Sequence, residues 1–196
     1  MARRTTDRGG TMVEAAMITP IFVLFVFGIF EFGLLLRSHL TVTAASGQAA
    51  RSASVAASSP TADYLILQTV VHAMEPQGLE NVQRVVVFKA GGPGDAVPAP
   101  CLDNSVADLC NRYTMVDAAL PYVDGSGAKT PNWGCETGSR DEAWCPLDRE
   151  TDIDGAGPDY VGVYVETRHR YLTGFIGTEE MLDETTVVRL EPRSIR

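Results

Sequence analysis

The sequence predicts an α+β chain: a long N-terminal transmembrane and stalk helix followed by a small antiparallel β-sheet head with a helix and a disulfide-bearing insert. Three observations predict it. The run Ala15 to Leu36, 22 residues, carries a single charge, Glu31. Three later segments are rich in β-branched and aromatic residues and partly alternate. All four cysteines fall between the first and second of those segments.

The bulk properties leave room for one ordinary domain plus an anchor in 196 residues. A composition of 45% hydrophobic residues excludes disorder throughout, and 25 acidic against 16 basic side chains argue against a nucleic-acid partner. The net charge of −9 is unevenly spread. Arg3, Arg4 and Arg8 against Asp7 make residues 1–9 a basic leader, so the acidity lies in the remainder.

At about 1.5 Å per residue the apolar run spans roughly 33 Å as a helix, enough to cross a bilayer. A cleaved secretory signal is the competing reading, with Ala44-Ala45-Ser46 or Gly47-Gln48-Ala49 as cleavage sites. Signal cores, however, run about 7–15 apolar residues, and either site would lie well beyond this run's end. The basic leader places the N-terminus in the cytoplasm and the remaining chain outside. Pro20 lacks an N–H and leaves the Ala16 carbonyl unpaired, so a kink or locally unwound turn is expected there.

Two carboxylates mark the run. Glu14 sits at its cytoplasmic entrance, where it either snorkels to water or finds a cation. Should a peptidase cut between Gly9 and Gly10, the new Gly10 ammonium stands four positions away, at helical pairing distance. The same carboxylate also suits a neighbouring subunit's ammonium. Glu31 is expected near the outer headgroups, solvated by water.

Beyond the run, residues 38–58 are Ala-rich and extend the helix as a stalk. Ser59-Pro60 reads as an N-cap with Pro at the first helical position, and Tyr64, Leu67, Val70, Val71 and Met74 repeat at helical spacing until Pro76 and Gly78. Strands are expected at Val82–Lys89, Tyr160–Tyr171 and Thr185–Leu190. In the second, Val161, Val163 and Val165 share a face for packing on a helix. Tyr164, Glu166, Arg168 and Arg170 share the solvent face. The division is therefore a leader 1–9, a transmembrane and stalk helix 10–58, and an extracytoplasmic α+β domain 59–196 with an insert at 91–159.

An even number of cysteines in a Gly- and Pro-rich external insert suggests disulfides. Three pairings exist. The local one, Cys101–Cys110 with Cys135–Cys145, closes two short loops and is favoured on that ground. Zinc is the alternative, against which neither pair has C-x₂₋₄-C spacing and His39, His72 and His169 lie far away. Trp133 and Trp144, beside cysteines, either pack on the bridges or form an exposed patch.

No catalytic constellation emerges, and the chain reads as a non-enzyme without cofactor or metal. Asp124–Thr130 has a passing likeness to a phosphate loop but lacks a Gly before Lys129. Glu150–Gly155 resembles half of a calcium loop, yet Val161 stands at the twelfth position.

The series Arg8-Gly9-Gly10-Thr11-Met12-Val13-Glu14, then Thr19-Pro20, then Gly28-Ile29-Phe30-Glu31-Phe32-Gly33, resembles the N-terminus of TadE-like pseudopilins of tight-adherence (Tad) pilus systems. Similarity continues through Gln48-Ala49-Ala50-Arg51, covering roughly residues 8–51, about a quarter of the chain on the domain scale. Ala15 departs from the Phe or Tyr often found after the Glu, and Gly10 from the commoner Ala. The resemblance implies a pseudopilin or minor pilin cut after Gly9 by a prepilin peptidase. Glu14, with Glu31, would set register among other pilins or pseudopilins on the pilus assembly platform, and membrane lipid would surround the helix. A permanently anchored adhesion or binding protein that never enters a filament is the second reading.

Overall fold

A computed structural model describes residues 7–122, 132–153, 157–174 and 177–192 of the chain. The phosphate-loop-like stretch lies wholly outside these residues, as does part of the acidic turn at 150–155. Helix α1 is continuous from Asp7 to Ala56. It passes through Pro20 without the unwound turn that was one of the two expected outcomes there. The hydroxyl of Thr19 donates to the Ala15 carbonyl at 2.6 Å, and where no water competes the remaining i→i−4 bonds hold the helix together.

Helix α2, Ala62–Met74, follows a short turn. The expected start at Ser59-Pro60 is two residues early, because the Ser59 hydroxyl accepts from the Thr61 N–H at 3.3 Å within the turn instead of capping a helix. A 3₁₀ turn containing Pro76 and then Gly78, at φ 91°, end α2. The head continues through β1 (Val82–Ala90), α3 (Ala99–Asp103), β2 (Cys110–Tyr113), α4 (Met115–Ala118), β3 (Tyr160–Arg170) and β4 (Glu179–Arg189). The sheet order is β2-β1-β3-β4, antiparallel throughout. The fourth strand, β2, escaped the sequence reading because CNRY is too short and too polar to alternate.

The outer half of α1 packs along the sheet. Val42, Ala45, Ala49 and Ala53 are fully buried against Val85, Val87, Val161, Val163 and Val165, together with Ile66, Leu67, Val70 and Met74 of α2. Alanine is what this contact needs, because a short side chain lets the helix axis lie close to the strands. Each large aliphatic side chain buried here contributes roughly 1.5–3 kcal/mol. Polar pins fix the register: Ser46 donates to the Val163 carbonyl at 3.0 Å and Ser54 to the Arg189 carbonyl at 2.9 Å.

The opposite sheet face, expected to meet solvent, does so only at the end of β3, where Arg170 is exposed and Arg168 half-buried; the rest of it is covered. Val86, Phe88, Tyr164, Cys101 and Cys110 form a second core there, and Tyr164 and Glu166 are buried. The reason is the insert, whose helix α3 is tied to β2 by the Cys101–Cys110 bridge and folds over the strands. Phe88 lies across β3 at Gly162, where an added Cβ would come within 2.1 Å of its ring. Glu166 is held by Arg84 at 3.0 Å and by the Tyr164 hydroxyl at 2.7 Å.

The second bridge, Cys135–Cys145, closes a loop around Asp141. That buried carboxylate accepts from the N–H groups of Gly134 (3.0 Å) and Cys135 (3.1 Å) and from the Ser139 hydroxyl (2.7 Å). Trp133 and Trp144 are both packed, the former between Tyr64 and Tyr113. Replacing Cys135 and Cys145 together by Ser is expected to cost about 2.5 kcal/mol, the loop-closure value for a ring of this size. Denaturant unfolding of the oxidised protein and the double variant measures it, and equal midpoints would show the loop to be held by Asp141 alone.

A charged group lies at the junction of α2 and the insert. Asp63, fully buried, meets the Arg149 guanidinium at 2.5 Å and accepts from the Tyr113 hydroxyl at 2.5 Å and the Asn111 amide at 2.9 Å. Asn111 in turn grips the Trp144 backbone, receiving its N–H at 2.9 Å and donating to its carbonyl at 2.7 Å. Burial, and then the negative charge of Asp63, push the Tyr113 phenol well above its ordinary range.

Candidate functional site

The inner half of α1 stands clear of the head. Met12, Met17, Ile18, Ile21, Phe22, Phe25 and Ile29 are exposed around the whole circumference of the helix. A bare apolar helix of this length suits lipid or a bundle of like helices, and it is long and apolar enough to cross a membrane as a single-pass anchor.

The Gly9–Gly10 bond lies in the first turns of α1. Glu14, one turn further, is exposed. It forms no hydrogen bond or ion pair among the described residues. Seventeen positions separate it from Glu31, which puts the two carboxylates about 26 Å apart along the axis and on different faces. The structure therefore does not bring them together.

Glu31 has a different setting from the one expected. It is 2% exposed rather than solvated. The β3–β4 hairpin reaches down beside α1, and Glu31 accepts from the Leu172 N–H at 3.1 Å, from the Thr173 N–H, and from the Thr173 hydroxyl at 2.7 Å. Two successive backbone N–H groups and a hydroxyl thus replace the hydration that an apolar run denies a carboxylate. The head is clamped to the helix at this point. Seven residues on, Ser38 meets His169 Nδ1 at 2.9 Å on the same face of α1. Sequence reasoning found Glu31 but neither partner, which lie 131 to 142 residues away with no pattern to announce them.

The cysteines pair as Cys101–Cys110 and Cys135–Cys145. Among the described residues no group of His, Cys, Asp and Glu is arranged to hold a metal.

Residues 9–51 match the family model described as TadE-like protein. The match covers the bare apolar helix, both carboxylates and the first turns of the segment that packs on the sheet. No curated protein and no solved structure matches the chain. Over residues 9–51 the N-terminal segment of this chain is therefore similar to TadE-like proteins.

Proposed function

We propose that the chain is a pseudopilin or minor pilin that is inserted in the cytoplasmic membrane, cut after Gly9 by a prepilin peptidase, and taken into the assembly or the tip of a Tad-type pilus. On this reading residues 1–9 are the leader, 10–58 the anchoring and packing helix, and 59–196 the head outside the membrane. Lipid surrounds the helix first, and then other pilins or pseudopilins on the assembly platform.

The observation that supports it most is the division of labour between the two carboxylates of α1. Glu31 is consumed within the chain by the hairpin, while Glu14, in the TadE-like segment, is exposed and has no partner among the described residues. Glu14 is thus the carboxylate available for a cation, and cleavage supplies one at Gly10. In apolar surroundings such a pair is worth far more than at a wet surface.

The mature N-terminus tests the reading. In cells with a prepilin peptidase, intact mass should place the first residue at Gly10, and Gly9→Leu should retain the leader. Glu14→Gln should insert normally but reduce the filament-associated fraction by about tenfold, as for loss of a poorly solvated charge pair. External protease should reach the head in spheroplasts. A mature chain beginning at Met1 or Ala2 would instead establish the second reading, a permanently anchored binding protein.

A further inference from the structure

At the end of the apolar run the structure forms a polar pocket of about 210 Å³ between α1, β3 and the 3₁₀ turn after α2. Arg37 and Ser38 enter it from α1, Gln77 from the turn, and His169 and Arg170 from β3. Its hydrogen bonding is incomplete. His169 is 7% exposed; its Nδ1 lies 2.9 Å from the Ser38 hydroxyl, and its Nε2 has no partner among the described residues. The Gln77 amide is buried with neither Nε2 nor Oε1 bonded. Arg37 and Arg170 are exposed. Neither forms an ion pair among the described residues, for Glu179, opposite Arg170 in the β3–β4 register, is met by Arg168 at 3.7 Å.

Buried donors left unbonded cost stability unless something completes them. What would complete these is an anion: two guanidinium groups and an amide N–H offer protons, and so does the imidazole in the tautomer that has Nδ1 accepting from Ser38. Position narrows the choice. Arg37 directly follows the apolar run, so in a membrane-spanning α1 the pocket lies at the level of the outer-leaflet phosphates. An apolar groove of about 520 Å³ lined by Gly33, Leu36 and Leu40 shares Arg37 with the pocket, an amphiphilic arrangement that free phosphate does not require.

We propose that this pocket binds the phosphate of an outer-leaflet phospholipid headgroup. Arg37 and Arg170 supply the charge, His169 Nε2 and Gln77 Nε2 donate, and Gln77 Oε1 accepts from the headgroup's hydroxyl or ammonium. The clamp at Glu31 sets the height of the head above the bilayer, and the bound headgroup holds its azimuth. The inference rests on the membrane reading of α1 and is independent of filament membership.

The test uses the full-length protein in dodecyl maltoside micelles, titrated with dihexanoyl phosphatidylglycerol and read by native mass spectrometry and phosphorus NMR. Arg37→Gln with Arg170→Gln, two exposed positions, should weaken lipid retention by at least about tenfold, as expected for lost bonds to a charged group. His169→Ala should weaken it further, with an unchanged thermal midpoint for the arginine variant confirming its fold. Inorganic phosphate at the same concentration should not displace the lipid. Equal retention by wild type and double variant would overturn the proposal, and equal binding of inorganic phosphate would overturn the lipid assignment. A protein that stays monodisperse without detergent would instead refute the membrane reading, leaving the phosphate titration to report on the pocket itself.

Discussion

Asp63→Ala is expected to destabilise the head by about 4 kcal/mol, the cost typical of removing one partner from a buried ion pair. Arg149 has no exposed side-chain surface, and its Nε and one Nη already lack partners, so the loss of Asp63 leaves a buried cation with only the Trp144 ring, 4.3 Å away, to face. The Tyr113 hydroxyl loses its acceptor in the same step, and Asn111 one of its three. Since Asn111 holds the Trp144 backbone, the insert should detach locally before the sheet melts. Near-UV dichroism of Trp133 and Trp144 and thermal unfolding of the full chain in detergent measure both effects. Asp63→Ala combined with Arg149→Met should recover a large part of the loss, because the buried charge is then gone. A double variant as unstable as the sum of the singles would show that the pair is not coupled.

Glu31→Ala should free the β3–β4 hairpin from α1 without unfolding the head. Three hydrogen bonds to one carboxylate disappear, and two backbone N–H groups lose their acceptor beside an apolar helix. The amides of Leu172 and Thr173 are expected to lose hydrogen-exchange protection on the order of a hundredfold, while those of β1 and β3 keep theirs. Glu31→Gln should lie between, since its amide oxygen still accepts but carries no charge. Unchanged exchange at Leu172 and Thr173 would mean that water, and not the hairpin, satisfies Glu31. The comparison with Glu14→Gln is informative in its own right. Glu31 variants should alter the head's attachment, whereas Glu14→Gln should leave that attachment unchanged, since Glu14 is exposed and has no partner among the described residues.

The α+β class and the long apolar N-terminal helix were legible in the residues because their signals are local. A 22-residue run with one charge needs no context to be a membrane-length helix, and valines alternating through β3 announce a strand with one face inward. The order Gly9-Gly10, Glu14, Pro20 and Glu31 likewise carried the resemblance, and the TadE-like match falls on the same segment, residues 9–51. The short separations of the cysteines favoured the pairing that the structure contains.

Tertiary structure decided what depends on residues far apart in the chain. The Ala-rich segment 38–58 reads as a stalk, since alanine favours helix in any setting; only the packing of α2 and the sheet, whose β3 returns more than a hundred positions later, makes Ala45, Ala49 and Ala53 a core surface. Asp63 looks like an ordinary first-turn acid of α2, and its burial becomes visible only when Arg149 arrives 86 positions on. The outer face of β3 alternates as a solvated face should, and at Tyr164 and Glu166 it is covered because α3 is tied over the sheet by a bridge, while Arg170 stays exposed. Glu31 itself reads as a water-solvated charge because a carboxylate in an apolar run must find either water or donors. The donors here are two backbone N–H groups and a hydroxyl on a hairpin 141 and 142 residues away, and backbone N–H groups carry no sequence signature at all.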